Sequence, residues 1–129
     1  MHSLYFDGAS KNNPGLAAYG GVIYDENNNE ELIYYGKFDR PQTNNYAEYY
    51  ALLTGLEKAL ENNITELTVY GDSNLAIQQL KGIWKVKSPN IKGLFQKCNT
   101  LKEKFETITF NHVLRKYNKR ADELANKAF

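Results

Sequence analysis

The order of apolar patterns along the chain is the feature that most constrains its fold. Strand-like alternation of apolar and polar residues comes first, in three stretches joined by turn residues: Leu4 to Ser10, Ala18 to Asp25 and Glu31 to Phe38. A stretch with apolar residues at helical spacing, Asn45 to Glu61, follows them. The first half of the chain is therefore predicted to be an antiparallel meander followed by a helix.

The second half alternates between strands and helices. We predict a strand at Leu67 to Tyr70, helices at Ser73 to Leu80 and Ile91 to Lys104, a strand at Ile108 to Val113 and a last helix at Asn118 to Ala128. The order βββαβααβα requires crossover connections, so it predicts an α/β fold with a five-stranded mixed sheet flanked by helices. No linker or repeat divides the chain, and we interpret it as a single domain, 1–129.

Length and cysteine content limit the class of protein. A chain of 129 residues can bury roughly two thirds of its unfolded surface without disulfides. The single cysteine, Cys98, cannot form an internal disulfide, and no His or Cys cluster has zinc spacing. There is no secretory leader pattern, and no apolar run approaches the ~20 residues of a membrane helix. We expect a cytoplasmic protein without membrane association and without an obligate protein partner.

Positive charge is concentrated in the second half of the chain, although the net charge is only +1. Between Lys81 and Lys104 there are seven lysines and one acidic residue, Glu103. Four more basic residues follow, namely Arg115, Lys116, Lys119 and Arg120. This half of the protein could face nucleic-acid phosphates, or the lysines could simply form a solvated helix face.

Four acidic residues occupy the ends or interiors of predicted elements: Asp7, Glu48, Asp72 and Asp122. Each has a structural explanation when taken alone. Asp7 precedes a glycine and could form a hairpin turn, and Glu48 could complete a capping box at the start of its helix. Asp72 could cap the helix that follows it, and the helix dipole favours an acid at Asp122.

Taken together, the four acids indicate a metal site rather than four separate structural roles. They lie on a strand, a helix, a strand end and a helix start, so separate rigid elements could present them to one place. Two Mg²⁺ ions about 4 Å apart need several hard oxygen ligands. Without a cation, two carboxylates 4 Å apart repel by roughly 4 kcal/mol at an effective dielectric of 20. The set predicts two bound Mg²⁺ ions, for which Mn²⁺ could substitute.

The motifs around these acids resemble those of ribonuclease H type 1, in family order and over essentially the whole chain. The matching segments are Tyr5-Phe6-Asp7-Gly8-Ala9-Ser10 with Asn12-Asn13-Pro14-Gly15, Thr43-Asn44-Asn45-Tyr46-Ala47-Glu48, Gly71-Asp72-Ser73-Asn74, and Asn111 to Arg115 with Asn118, Ala121, Asp122, Leu124 and Ala125. The short variants of archaea, many bacteria and plant-like proteins are the most similar. The resemblance implies a ribonuclease H-like fold and endonucleolytic hydrolysis of the RNA strand of an RNA/DNA hybrid.

The resemblance also implies roles for the matched residues. Two metal ions would be held by Asp7, Glu48, Asp72 and Asp122, and cleavage would leave 5′-phosphate and 3′-hydroxyl ends. A second group would lie along the minor groove, where 2′-hydroxyls distinguish RNA from DNA: Gly8, Ala9, Ser10, Asn12, Asn13, Asn45 and Asn74. A third group would contact phosphates. Thr43 would bind a phosphate of the DNA strand, and Lys85, Lys87 and Arg115 are further candidates for phosphate contacts.

Two features depart from many family members. Their catalytic histidine lies in a loop before the last helix, but Leu114 to Tyr117 contains none, and His112 falls inside a strand pattern that favours a structural role. The short loop from Gly82 to Pro89 replaces the basic protrusion of larger bacterial members, and its Trp84 could be a core residue, a lid residue or a DNA contact. Two alternatives therefore stay open: a hybrid-binding module without catalysis, and a related two-metal nuclease that acts on DNA.

Overall fold

The first strand lies at the centre of a five-stranded mixed sheet. In the computed structural model, which describes all 129 residues, β1 (His2–Ser10), β2 (Ala17–Tyr24) and β3 (Glu30–Lys37) form an antiparallel meander. β4 (Glu66–Gly71) pairs in parallel with β1, and β5 (Thr107–His112) pairs in parallel with β4. The strand order is β3-β2-β1-β4-β5, which confirms the predicted sheet.

Four helices flank the sheet: α1 (Asn44–Glu61), α2 (Asn74–Leu80), α3 (Pro89–Lys102) and α4 (Lys119–Lys127). The predicted order of elements is confirmed, and each predicted end lies within two residues of the observed one. A 3₁₀ turn, Arg115–Tyr117, precedes α4 and was not predicted. Three residues are too short a stretch for apolar periodicity to reveal.

Helices α1 and α4 pack on opposite faces of the sheet. Gly20 and Gly21 are neighbours in β2, so a Cβ on one would point to the opposite face of the sheet from a Cβ on the other. A Cβ on Gly20 would lie 2.5 Å from the backbone nitrogen of Ala125 in α4. A Cβ on Gly21 would instead lie against Tyr34, whose hydroxyl donates a hydrogen bond of 2.6 Å to the Ala51 carbonyl of α1. The two helices therefore enclose the sheet between them.

The main hydrophobic core lies between the sheet and α1, with α2 and α3 packed around it. Leu4 and Phe6 from β1 are fully buried there, together with Leu52 and Leu56 from α1. Burial of such side chains stabilises a fold by roughly 1.5–3 kcal/mol each. None of the helices combines the length and the apolar character needed to span a bilayer.

We expect Gly20→Ala to lower the free energy of unfolding by about 2–3 kcal/mol, because the added methyl would collide with the α4 backbone. Gly93→Ala in α3 is the matched control, since a Cβ there meets no atom within 4 Å and alanine favours a helix. Urea unfolding of both variants measures the difference. Equal stability of the two variants would contradict the close packing of α4 on β2.

Candidate active site

Asp7 lies inside the central strand and not in a turn. β1 continues to Ser10, and Asp7 pairs there with Gly20 of β2. The hairpin-turn interpretation is therefore wrong. Its side chain is buried, and its Oδ1 accepts a hydrogen bond of 3.0 Å from the Gly8 backbone N–H. A buried carboxylate in the middle of a sheet requires partners that offset its desolvation.

Glu48 points away from its own helix and toward β1. The N-cap of α1 is Thr43, whose hydroxyl oxygen accepts a hydrogen bond of 3.1 Å from the Tyr46 N–H. Glu48 Oε1 accepts a hydrogen bond of 3.1 Å from the Gly8 N–H, the same group that donates to Asp7. The capping-box interpretation of Glu48 is wrong, because this carboxylate connects α1 to the central strand.

Asp72 completes a three-carboxylate cluster at the carboxyl end of β4. Ser73, not Asp72, caps α2, since its hydroxyl oxygen accepts from the Ala76 N–H at 3.3 Å. Asp7, Glu48 and Asp72 each offer a carboxylate oxygen, and these atoms lie within 4.8 Å of one another. The structure thus brings together three of the four predicted acids.

The fourth acid, Asp122, lines the same cleft but stands outside that cluster. It lies in the first turn of α4, as its helix-dipole interpretation predicts. Its Oδ1 is 3.6 Å from Nη2 of Arg115 and accepts a hydrogen bond of 3.2 Å from Asn126. Asn118, just before α4, is fully buried and donates to the Phe6 carbonyl at 2.9 Å, which fixes the start of this helix against β1.

The cluster holds protons more tightly than isolated acids do. Burial raises the pKa of Asp7 to about 7, and the charges of Asp72 and Asp122 add to the effect. Burial and the charge of Asp7 raise the pKa of Glu48 well above its usual range. Burial also raises the pKa of Asp72, although Asn118 and Arg115 oppose that shift. Glu48 Oε2 is buried without a hydrogen-bond partner, so the cluster has unused capacity to bind a cation.

The acids open into a polar cleft of about 630 Å³. Two of its 14 lining residues are hydrophobic, which suits a hydrated and charged ligand. The other predicted binding residues in the lining are Gly8, Ala9, Ser10, Asn45 and Arg115. Five lining residues were not proposed as binding residues from the sequence: Asn44, Ser73, His112, Leu114 and Asn126.

Two of these lining residues, His112 and Asn126, can be related to features of the sequence. His112 ends β5 and pairs with Gly71, so its exposed side chain lies beside Asp72 at the carboxyl end of the sheet. The structural role predicted for His112 does not fit this position. Asn126 follows Asp122 by four residues, and its Nδ2 donates to the backbone carbonyl and to the carboxylate of Asp122. This contact is the one expected at that helical spacing.

Six predicted binding residues lie outside the lining of the cleft: Asn12, Asn13, Thr43, Asn74, Lys85 and Lys87. Asn13 Oδ1 accepts from the Asn44 N–H at 2.9 Å and so holds its turn against the start of α1. Trp84 is 44% exposed in the loop after α2, which excludes a core role. The nucleic-acid contacts of the six residues outside the lining stay predictions.

Two named relatives align with nearly the whole chain. A profile described as reverse transcriptase-like matches residues 5–128. A bifunctional protein of Mycobacterium tuberculosis is 38% identical over 122 residues, which are 95% of this chain but 34% of that protein. The chain thus spans about a third of the mycobacterial relative. A protein of Francisella tularensis named ribonuclease H is 32% identical, and the alignment covers 96% of this chain and 88% of the relative.

Two solved structures share the whole fold. The N-terminal RNase H domain of the mycobacterial protein has a TM-score of 0.95 and 36% identity, covering 98% of this chain and 91% of that one. LC11-RNase H1, solved in complex with an RNA/DNA hybrid, has a TM-score of 0.92 and 36% identity, covering 99% and 96%. The predicted ribonuclease H-like fold is confirmed. With its profile match, its Francisella relative and its three-carboxylate cluster, this chain belongs to the ribonuclease H family.

Proposed function

We propose that this chain is an endonuclease that hydrolyses the RNA strand of RNA/DNA hybrids. The observation that carries the proposal is the cluster of Asp7, Glu48 and Asp72 in a polar cleft on this fold. The hybrid complex of LC11-RNase H1 supports the substrate class. We further propose that residues 1–129 form one catalytic domain, and a cytoplasmic location remains a prediction from the sequence.

The acid cluster fits a divalent cation. Its carboxylate oxygens lie within 4.8 Å of one another, and one of the Glu48 oxygens is buried without a partner. Hard oxygen donors of this kind suit Mg²⁺. We assign the binding of two Mg²⁺ ions, or Mn²⁺, to Asp7, Glu48, Asp72 and Asp122. When bound, the ions would supply activation of a water and stabilisation of the leaving 3′ oxygen, so the ends would be 5′-phosphate and 3′-hydroxyl.

The protein itself orients these acids and offers donors and acceptors to the substrate. The Gly8 N–H fixes one oxygen of Asp7 and one of Glu48. The Ser10 hydroxyl donates to the Gln42 carbonyl at 2.6 Å, so its oxygen can act only as an acceptor for a 2′-hydroxyl. Asn45 is exposed in the first turn of α1 and lines the cleft, where its amide can bind the same group.

Contacts to the DNA strand would come from residues beside the cleft. The Thr43 oxygen accepts hydrogen bonds from the Tyr46 N–H and from Asn90 Nδ2, at 3.1 and 3.0 Å. Its hydroxyl proton therefore remains free to donate to a phosphate oxygen. Lys85 and Lys87 are exposed, and Gln79 Nε2 holds the Lys85 carbonyl at 3.1 Å, which fixes the loop that carries them.

The substrate prediction is tested with labelled RNA/DNA hybrid, double-stranded RNA and double-stranded DNA, each incubated with Mg²⁺ or Mn²⁺. We expect preferential cutting of the hybrid, since the cleft offers partners for 2′-hydroxyls. Replacement of the ribonucleotide at the cut site by its 2′-deoxy form should abolish cutting there. Cleavage that persists undiminished, or that favours DNA duplexes, would support the alternative of a DNA nuclease.

Asp72→Asn should lower the cleavage rate at least about 100-fold, because it removes one charged oxygen ligand from the cluster. Asp39→Asn is the matched control, since Asp39 is exposed and does not line the cleft. Initial rates on the hybrid compare the two variants. If the unmodified protein binds hybrid but neither it nor the control cuts, the chain is a binding module.

Metal-free stability should fall as pH rises. Burial raises the pKa of Asp7 from 3.8 to about 7, so between these values the folded state binds more protons than the unfolded state. Its contribution to the free energy of unfolding is therefore present at pH 4 and lost by pH 7. Asp7→Asn should raise the free energy of unfolding at pH 8 in EDTA by roughly 2–4 kcal/mol.

Urea unfolding in EDTA between pH 4.5 and 8 measures this effect, with Asp39→Asn again as the control. Added Mg²⁺ at pH 8 should stabilise the unmodified protein more than Asp7→Asn, since the variant has lost one charged ligand. A variant that is less stable than the unmodified protein at pH 8 in EDTA would contradict the repulsive cluster.

A further inference from the structure

A second cleft, of about 360 Å³, lies on the other side of the 3₁₀ turn from the acid cluster. Tyr5 from β1 and Tyr24 from β2 line its sheet side. Lys116 and Tyr117 line it from the turn, and Lys119 and Arg120 line it from the first turn of α4. None of the proposed catalytic residues belongs to this cleft.

Aromatic rings form a stacked platform beneath it. Tyr5 stacks on Tyr70 with ring centroids 4.7 Å apart and planes inclined by 19°. Tyr24 meets Tyr5 edge-on at 5.7 Å. Tyr117 is 64% exposed, and no other aromatic ring packs against it. An exposed aromatic ring such as that of Tyr117 is the kind of surface on which nucleobases stack in single-strand binding proteins.

The charge of the cleft is positive. Three basic residues and no acidic residue line it. Arg120 is neutralised by Glu30, at 2.6 Å, and by Glu123. Lys116 and Lys119 form no salt bridge, and the Lys116 ammonium lies 5.0 Å from the Tyr117 ring centroid. Two free cations beside aromatic rings complement a phosphate joined to a base.

The two clefts are lined by consecutive residues of one segment. Leu114 and Arg115 line the catalytic cleft, while the next two residues, Lys116 and Tyr117, line the second one. Three residues of 3₁₀ helix span about 6 Å. A strand that leaves the catalytic cleft past this turn would therefore meet the second cleft.

We propose that the second cleft binds an unpaired nucleotide of a strand that extends from the catalytic cleft. The base stacks on the exposed Tyr117 ring, next to Tyr5 and Tyr24, and the phosphate lies between Lys116 and Lys119. Stacking contacts the face of a base, which all bases share, and not its hydrogen-bonding edge, so binding is independent of sequence. The proposal rests on the proposed function only for the source of the strand, which is an RNA end released by cutting or an unpaired DNA flank.

The test measures fluorescence anisotropy of labelled single-stranded RNA and DNA hexamers in metal-free, low-salt buffer. Tyr117→Ala removes an exposed ring, so folding should be preserved, and affinity should fall about tenfold. Tyr35→Ala is the matched control. Tyr35 is also exposed and also lies beneath a lysine, Lys127, but it lines neither cleft. It should change affinity less than twofold.

Amide chemical-shift mapping of the ¹⁵N-labelled protein with each hexamer locates the strand. Shifts at Tyr5, Tyr24 and Tyr117 support the proposal, and a preference for RNA or DNA identifies which strand is bound. Shifts confined to the catalytic cleft, or equal affinities of Tyr117→Ala and Tyr35→Ala, would overturn it. Cleavage of a blunt hybrid by the unmodified protein is measured separately, so a failure of the proposed activity is distinguishable from a failure of single-strand binding.

Discussion

The contact between Gly8 and the first turn of α1 determines the geometry of the whole site. A Cβ at position 8 would lie 2.3 Å from the Ala47 carbonyl carbon, so only glycine lets the helix come this close. The approach places Glu48 beside Asp7, and the Gly8 N–H then donates to both carboxylates. Two acids on different elements are thereby held by one backbone amide, and Asp72 joins them from the adjacent strand.

The cluster is electrostatically unfavourable by itself, and the remainder of the fold holds it in place. Burial raises the pKa values of Asp7, Glu48 and Asp72, so each is harder to ionise than an isolated carboxyl group. The core beneath α1, which includes the fully buried Leu52 and Leu56, offsets this cost. Raised pKa values of several acids at one place in a well-packed fold are typical of a functional site.

Local patterns predicted the elements and the acids, but not the contacts between them. Apolar periodicity is a property of neighbouring residues, so the order βββαβααβα could be predicted. Whether Glu48 caps its own helix or reaches β1 depends on how closely α1 approaches Gly8, which no local pattern contains. The same reason explains His112, whose place in the cleft follows from the pairing of β5 with β4. The minor-groove roles of Asn12 and Asn74 were implied by resemblance alone; neither lines the cleft, and their contacts with nucleic acid stay predictions.

The bond from Asn118 to the Phe6 carbonyl joins residues that are 112 positions apart. During translation Asp7 leaves the ribosome well before α4, which carries Asp122. The entropic cost of closing such a long loop falls once the intervening strands and helices have formed. A partly synthesised chain therefore lacks one wall of its cleft, and the order of translation itself delays the assembly of the complete acid set until the sheet has formed.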